Sequence, residues 1–178
     1  QLAIKILMNS LYGALGNRWF RYYDLRVAEG ITLSGQMAIR WAENAMNTFM
    51  NKIVESSDTD YVIAIDTDSL YVNFAPLVKK LNLNKDNAVG IIDKVCQEQF
   101  VPMFQKSYKE MAVYTDAYEN KMVMDREVIA DVGIWTAKKR YILNVHNSEG
   151  VQYDKPELKI MGIEAVKSST PEICRDAL

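Results

Sequence analysis

The chain has 178 residues, of which 49% are hydrophobic and 25% charged, and its formal net charge is −2. That length supports one hydrophobic core, and the composition is ordinary for a soluble globular protein. Because the chain as a whole is not basic, any contact with nucleic acid has to come from a local cationic patch.

The cysteines, the histidine and the start of the chain narrow the class further. Cys96 and Cys174 lie far apart, which predicts reduced thiols and a cytoplasmic location. His146 is the only histidine, so neither a histidine-rich zinc site nor a Ser-His-Asp triad is expected. No apolar run reaches the length of a membrane span, so no membrane partner is expected. The chain lacks an initiator Met and enters periodic sequence at once, which predicts a piece of a longer protein.

Residues 1–14 have the periodicity of a helix. One face carries a cation, an amide, a phenol and a glycine at i, i+4, i+7 and i+8: Lys5, Asn9, Tyr12 and Gly13. A cation and an amide one turn apart can hold a triphosphate, and an aromatic followed by glycine lets a flat group approach closely. The alternative is an ordinary helix end, with Gly13 or Gly16 as the cap.

An aromatic and arginine-rich connector follows at residues 17–26. Its side chains could stack on nucleic acid, although most of the aromatics are expected to pin the loop to the core. Residues 27–52 then repeat apolar and small side chains at three- and four-residue steps, which predicts a long amphipathic helix with a supporting role.

Two apolar, β-branched runs within residues 61–74 flank the acidic step Asp66-Thr67-Asp68. The runs predict two strands, and the step predicts a hairpin turn or strand end. In an extended chain the two carboxylates would leave on one face, where a divalent cation would relieve their repulsion. Carboxylate oxygens suit Mg²⁺, which uses one or two of them together with substrate phosphates. The alternative is a polar turn between two core strands.

A short helix is predicted from Pro76 to Leu81, and a second long helix from about residue 87 to residue 114, with Pro102 restarting or kinking it. The two long helices would cover one face of an antiparallel sheet. The predicted fold class is therefore α+β.

Strands are predicted at residues 121–130, 134–145 and 158–163, with a turn at residues 131–133. In the first of these strands Asp125 and Glu127 share a side, which is compatible with a pair of solvated edge carboxylates. The second strand is centred on the densest cationic cluster of the chain: Lys138, Lys139, Arg140 and Tyr141. Such a cluster predicts contact with phosphates and the minor groove of a duplex, or else an edge strand guarded by charge.

Several motifs in one order resemble family B DNA polymerases, and most closely the replicative enzymes of T-even-type tailed phages. Lys5-x-x-x-Asn9-Ser-x-Tyr12-Gly13 is similar to the last fingers helix, and Asp66-Thr-Asp68-Ser is similar to the second catalytic carboxylate motif. Residues 20–26, 124–127, 138–141 and 158–164 carry further agreement. The step at Asp66 also resembles the family's first catalytic motif, but Val72 stands where that motif has proline.

The resemblance implies a last fingers helix at residues 1–16, a ferredoxin-like palm at 17–165 and the start of a thumb at 166–178. It implies two-metal nucleotidyl transfer from a dNTP to a primer 3′-hydroxyl, with Mg²⁺ or Mn²⁺ on Asp68 and, in support, Asp66. Lys5 and Asn9 would contact the triphosphate, while Tyr12 and Gly13 would border the nascent base pair. Residues 138–141 would bind primer-template DNA, with Lys139 in the minor groove. The resemblance also places Asp125 and Glu127 near the active site, as the alternative to solvated edge carboxylates.

The family's first catalytic Asp has no counterpart before Lys5, so the chain is expected to be inactive alone and to need the remaining polymerase segments. The alternative is a separately encoded DNA-binding or assembly part of a split polymerase that is completed in trans. An unrelated metal-dependent phosphohydrolase is a third possibility, but it leaves the Lys5 helix and the cationic cluster unexplained.

Overall fold

The computed structural model describes residues 2–177 of the chain. Its helices are α1 (Leu2–Leu15), α2 (Leu25–Val54), α3 (Ala75–Lys80), α4 (Lys85–Val95), α5 (Val101–Tyr114) and α6 (Glu172–Ala177), with a 3₁₀ turn at Glu164–Val166. Asp24 starts α2, since its side chain accepts a hydrogen bond from the Arg26 backbone N–H. None of the helices in this span combines the length and the apolar character that crossing a membrane requires.

Five antiparallel strands confirm the α+β class, but they form two sheets where one was predicted. The first sheet pairs β1 (Val62–Asp66) with β2 (Ser69–Val72), and the second has the order β3 (Val128–Ala137), β4 (Arg140–Ser148), β5 (Val151–Met161). Strand patterns specify which face is buried, but they do not specify which strands pair. The grouping into two sheets was therefore not readable from the sequence.

The main core lies between the two long helical segments and the first sheet. Its buried side chains come from α2, from Tyr61 just before β1 and Val62 within it, and from α3, α4, α5 and the turn between the last two: Ala38, Ala42, Met46, Met50, Tyr61, Val62, Leu77, Ile92, Cys96, Phe100, Phe104, Tyr108 and Met111. The first sheet therefore packs against both long helical segments, as predicted for one face of an antiparallel sheet. The first half of α2 is different, because Ile31 and Leu33 are exposed there.

A π-helical turn at Cys96–Phe100 joins α4 to α5. Pro102 follows it, and proline both lacks an N–H and clashes with the carbonyl four residues earlier, which here belongs to Glu98. The Val101 N–H instead reaches back five residues to the Cys96 carbonyl. The helix thus restarts around Pro102, which is one of the two outcomes predicted, and the interruption before it is a widened turn.

The boundaries of the second sheet differ from the prediction. Residues 121–127 are not a strand, since β3 begins at Val128, and the chain does not turn at residues 131–133 but at Lys138 and Lys139. Gly133 lies within β3, opposite Leu143. The cationic cluster therefore belongs to a hairpin turn and the start of β4, not to the centre of a strand.

Candidate active site

The two candidate metal-binding aspartates lie at the tip of the first hairpin. Asp66 ends β1 and pairs with Ser69, so Thr67 and Asp68 form the turn. The Asp68 N–H donates to the Asp66 carbonyl (2.7 Å), and Thr67 has a φ of 55°. A non-glycine residue in that region is strained, and such strain is often found at functional sites. The predicted hairpin turn is confirmed. Asp68 belongs to the turn, however, so the alternation of side chains along a strand does not determine whether its carboxylate shares a face with that of Asp66.

Hydroxyl groups of the same turn contact both carboxylates. Thr67 Oγ1 donates to Asp66 Oδ1 (3.1 Å), and Ser69 Oγ lies 3.4 Å from Asp68 Oδ1. Asp66 is only partly exposed, whereas Asp68 is exposed. The tip therefore presents one sheltered and one open carboxylate.

The turn of the β3–β4 hairpin lies against this acidic tip. Lys139 Nζ is 3.2 Å from Asp66 Oδ1 and 3.4 Å from Thr67 Oγ1, across a sequence separation of 72 residues in the second contact. Lys139 has a left-handed φ of 61°. The structure thus brings together the acidic motif and the cationic motif, which lie far apart in the sequence.

A cluster of three aromatic rings fixes the two hairpins relative to each other. Tyr71 of β2 packs against Trp135 of β3 and Tyr141 of β4, with ring centroids 5.4 Å from each. Burial raises the pKa of the Tyr71 phenol, and nearby Tyr141, Asp66 and Glu127 act in the same direction. Tyr141 is buried in this cluster, a packing role that was not predicted from the sequence. The DNA contact expected of Tyr141 stays a prediction. Aromatic residues in strands were the only sequence signal for this cluster.

The far side of the cationic turn rests on the segment that follows β5. Gly162 has a φ of 66°, and a Cβ atom there would lie 2.1 Å from the Lys139 carbonyl oxygen. Arg140 forms an ion pair with Glu164, which also receives Lys167 Nζ at 3.3 Å. The position of Lys139 is therefore set from both sides of its turn.

Two predicted acidic residues, Asp125 and Glu127, lie in the segment before β3. Glu127 is tied to the second sheet by Lys159, because Lys159 Nζ lies 2.8 Å from Glu127 Oε1. Arg126, which lies between the two acidic residues in sequence, has a buried side chain that forms an ion pair with Asp93 of α4. The segment is thus anchored at Arg126. Asp68, Tyr71, Glu127, Trp135 and Lys159 all line one open groove of about 1320 Å³.

The residues predicted to contact the nucleotide lie on α1. Lys5, Asn9, Tyr12 and Gly13 are exposed on α1, which buries none of its described residues. Gly13 lies inside α1, so it is not the cap, and a Cβ atom there would meet no other heavy atom within 4 Å. Within residues 2–177 no hydrogen bond or ion pair joins α1 to the acidic tip.

The acidic tip fits a divalent cation in part. Two hard carboxylates lie within one turn, and the ammonium group of Lys139 already lies against one of them, so the position suits a positive charge. Across the described part of the chain, however, no group of three or more His, Cys, Asp or Glu side chains could hold a metal ion. Asp66 and Asp68 can supply some ligands of such an ion but not a whole set.

Comparison with known proteins identifies the family of the chain. Over its full length the chain is 43% identical to the DNA-directed DNA polymerase of Escherichia phage RB69 and 42% identical to that of Enterobacteria phage T4, and it spans 21% of each. It is 26% identical, over 98% of its length, to DNA polymerase beta of African swine fever virus (isolate Tick/Malawi/Lil 20-1/1983), of which it spans 14%. The family model described as DNA polymerase family B matches residues 1–175. The chain therefore belongs to DNA polymerase family B.

Proposed function

We propose that this chain is the part of a DNA-directed DNA polymerase that binds the primer end and the incoming nucleotide. Residues 1–16 would be the last fingers helix, residues 17–165 the palm and residues 166–178 the start of the thumb. The two phage relatives are DNA-directed DNA polymerases, which supports this assignment. The chain spans about a fifth of their length, so the remaining segments would be partners in activity.

The observation that carries the proposal is the contact between Lys139 and the acidic tip. A polymerase palm has to place a primer 3′-hydroxyl beside carboxylates, and a cation in the minor groove can hold the primer end without reading its sequence. The turn of the β3–β4 hairpin, which contains Lys139, lies directly against the tip of the β1–β2 hairpin, which contains Asp66. The unrelated phosphohydrolase considered from the sequence offers no reason for this contact, and membership of family B excludes it.

Asp66 and Asp68 would hold Mg²⁺, or Mn²⁺ in its place, and we assign Asp68 the main role because it is open to solvent. When bound, the metal would lower the pKa of the primer 3′-hydroxyl and stabilise the triphosphate and the leaving pyrophosphate. The protein contributes a rigid tip, because the Thr67 and Ser69 hydroxyls hold the two carboxylates in place.

The dNTP and primer-template DNA would be bound by two cationic surfaces. Lys5 and Asn9, one turn apart on the exposed face of α1, would contact the triphosphate, and Tyr12 with Gly13 would border the new base pair. The open space beside Gly13 leaves room for a flat group. Residues 138–141 would bind the duplex, with Lys139 in the minor groove and Lys138 and Arg140 near phosphates.

The proposal is tested by the anisotropy of a labelled primer-template duplex titrated with the chain at several salt concentrations. Binding should weaken with salt, and Lys138→Ala, which removes a proposed phosphate contact, should reduce the slope of log affinity against log salt by about 1. Lys106→Ala is the matched control, since Lys106 is an exposed α5 lysine whose partner is Glu110. Equal effects of the two substitutions would contradict the assignment of the hairpin to DNA.

The same preparation is tested for primer extension with Mg²⁺ and all four dNTPs. We expect none from the chain alone, because its described residues hold only part of a metal ligand set. Extension by the chain alone that Asp68→Asn abolishes would show that a further metal ligand lies within it. Asp125 and Glu127 would then be the first residues to examine.

A further inference from the structure

The contact between Lys139 and Asp66 has a consequence for metal binding. Lys139 Nζ lies against Asp66 Oδ1, and the Thr67 hydroxyl donates to the same oxygen. That oxygen is thus already in contact with a cation and a hydroxyl donor. A divalent cation that used Oδ1 would have to replace the ammonium group, and one that used the other carboxylate oxygen would be repelled by it.

The position of Lys139 does not depend on its flexible side chain alone. The backbone of Lys139 has a left-handed conformation. Its carbonyl group packs so closely on Gly162 that no side chain could be accommodated at position 162. On the other side, Tyr71 of β2 packs against Tyr141 of β4, and this contact holds the hairpin that contains Asp66 beside the strand that follows Lys139. A lysine at this fixed backbone position keeps its ammonium group within reach of Asp66.

Lys138 provides an internal comparison. It is the other residue of the same two-residue turn and carries the same charge, but no ion pair or hydrogen bond of its side chain is found in the described part of the chain. The acidic tip therefore has one cation in contact and a second one nearby. Direct occupation of Asp66 and general repulsion by positive charge can thus be separated by changing one lysine at a time.

We propose that Lys139 is a resident cation on Asp66, which a divalent metal ion has to displace before Asp66 can act as a ligand. This inference rests on the proposed function, since it takes Asp66 as a metal ligand. When displaced, the ammonium group becomes free to contact DNA. Metal binding at Asp66 and DNA binding by Lys139 therefore favour each other, because a coupling between two binding events is reciprocal.

The test is Mn²⁺ binding to the purified chain, measured from the electron paramagnetic resonance signal of free Mn²⁺ and requiring no catalysis. Lys139→Met should bind Mn²⁺ about two- to fivefold more tightly than the wild type, the range expected for loss of a partly exposed ion pair. Lys138→Met removes the same charge from the same turn and should change the affinity by less than Lys139→Met does. Far-UV circular dichroism of each variant checks that the hairpin is folded.

Equal changes in Lys138→Met and Lys139→Met would overturn the proposal, because they would mean that only net charge matters. The proposal would also be overturned if Lys139→Met showed no saturable Mn²⁺ binding, because removal of the Lys139 ammonium group should make Asp66 available to the metal ion. Asp68→Asn tests the proposed function separately. If Asp68→Asn weakens Mn²⁺ binding while Lys139→Met leaves it unchanged, the metal assignment stands and the displacement by Lys139 fails.

Discussion

Gly162→Ala should be among the most destabilising single-methyl additions in this chain. Its φ of 66° is a left-handed conformation, which costs an alanine about 1–2 kcal/mol. The new Cβ would also lie 2.1 Å from the Lys139 carbonyl oxygen, so the backbone has to shift, and forced repacking of that kind costs about 1–3 kcal/mol. Loss of flexibility in the unfolded chain returns roughly 0.4–1 kcal/mol. We expect a net loss of about 3 kcal/mol in the free energy of unfolding.

Two other glycines separate the causes. Gly150 has a φ of 89° but nothing within 4 Å of an added Cβ, so Gly150→Ala reports conformational strain alone. Gly90 lies exposed in α4 with open space around it, so Gly90→Ala should stabilise the chain by about 0.5–1 kcal/mol. Urea unfolding followed by far-UV circular dichroism gives all three values. If Gly162→Ala costs no more than Gly150→Ala, the close approach to Lys139 does not exist in solution.

Three further predictions concern charge and burial. In native protein a thiol reagent should label Cys174 quickly and Cys96 only after unfolding, because Cys96 is buried and its pKa is raised to about 11, mainly by that burial. Asp93→Ala should lower the free energy of unfolding by about 3 kcal/mol, since it leaves the buried Arg126 guanidinium without its partner. Glu164→Gln should destabilise the chain near neutral pH, because the Glu164 backbone N–H and the Lys167 and Arg140 cations hold the pKa of this carboxyl below 4.5. A lowered pKa gives a stabilisation that is fully present above the ordinary value, so the difference between variant and wild type should shrink as the pH falls below that value and disappear once the pH has passed the lowered pKa of the folded state.

Each of these predictions has its own control. Cys174→Ser should leave no thiol that reacts in the native state. Glu110→Ala removes the partner of exposed Lys106 and should cost less than about 1 kcal/mol, and an equal cost for Asp93→Ala would argue against burial as the cause. A loss in Glu164→Gln that persists in acid would point to packing instead of charge.

Local chemistry was predictable from the sequence because it depends on neighbours along the chain. The acidic hairpin turn at Asp66, the two long helices and the interruption before Pro102 each follow from composition within a few residues. The face of α1 that carries Lys5 and Asn9 likewise follows from helical spacing. The roles of Lys5 and Asn9 in binding remain predictions, since no hydrogen bond or ion pair joins α1 to the acidic tip among the described residues.

Contacts between distant segments were not predictable. No residue near Lys139 in the sequence predicts that its ammonium group will lie against Asp66, and the turn predicted at residues 131–133 is in fact at Lys138 and Lys139. The turn at Lys138 and Lys139 lacks the Asn-Gly or Asp-Gly pair that usually marks a two-residue hairpin, so no signal in the local sequence predicted it. The left-handed conformation of Lys139 is instead held by its packing against Gly162, which is distant in sequence.

The π-helical turn at Cys96–Phe100 also governs the rotational phase of the helix that contains it. The buried positions along this helix follow one another in four-residue steps: Ile92, Cys96, Phe100, Phe104 and Tyr108. A regular α-helix advances about 100° per residue, so four such steps would carry the apolar stripe roughly 160° around the axis and out of contact with α2. The extra residue in the wide turn cancels about 100° of that drift. One residue of added length thus keeps Ile92 and Tyr108 facing the same core.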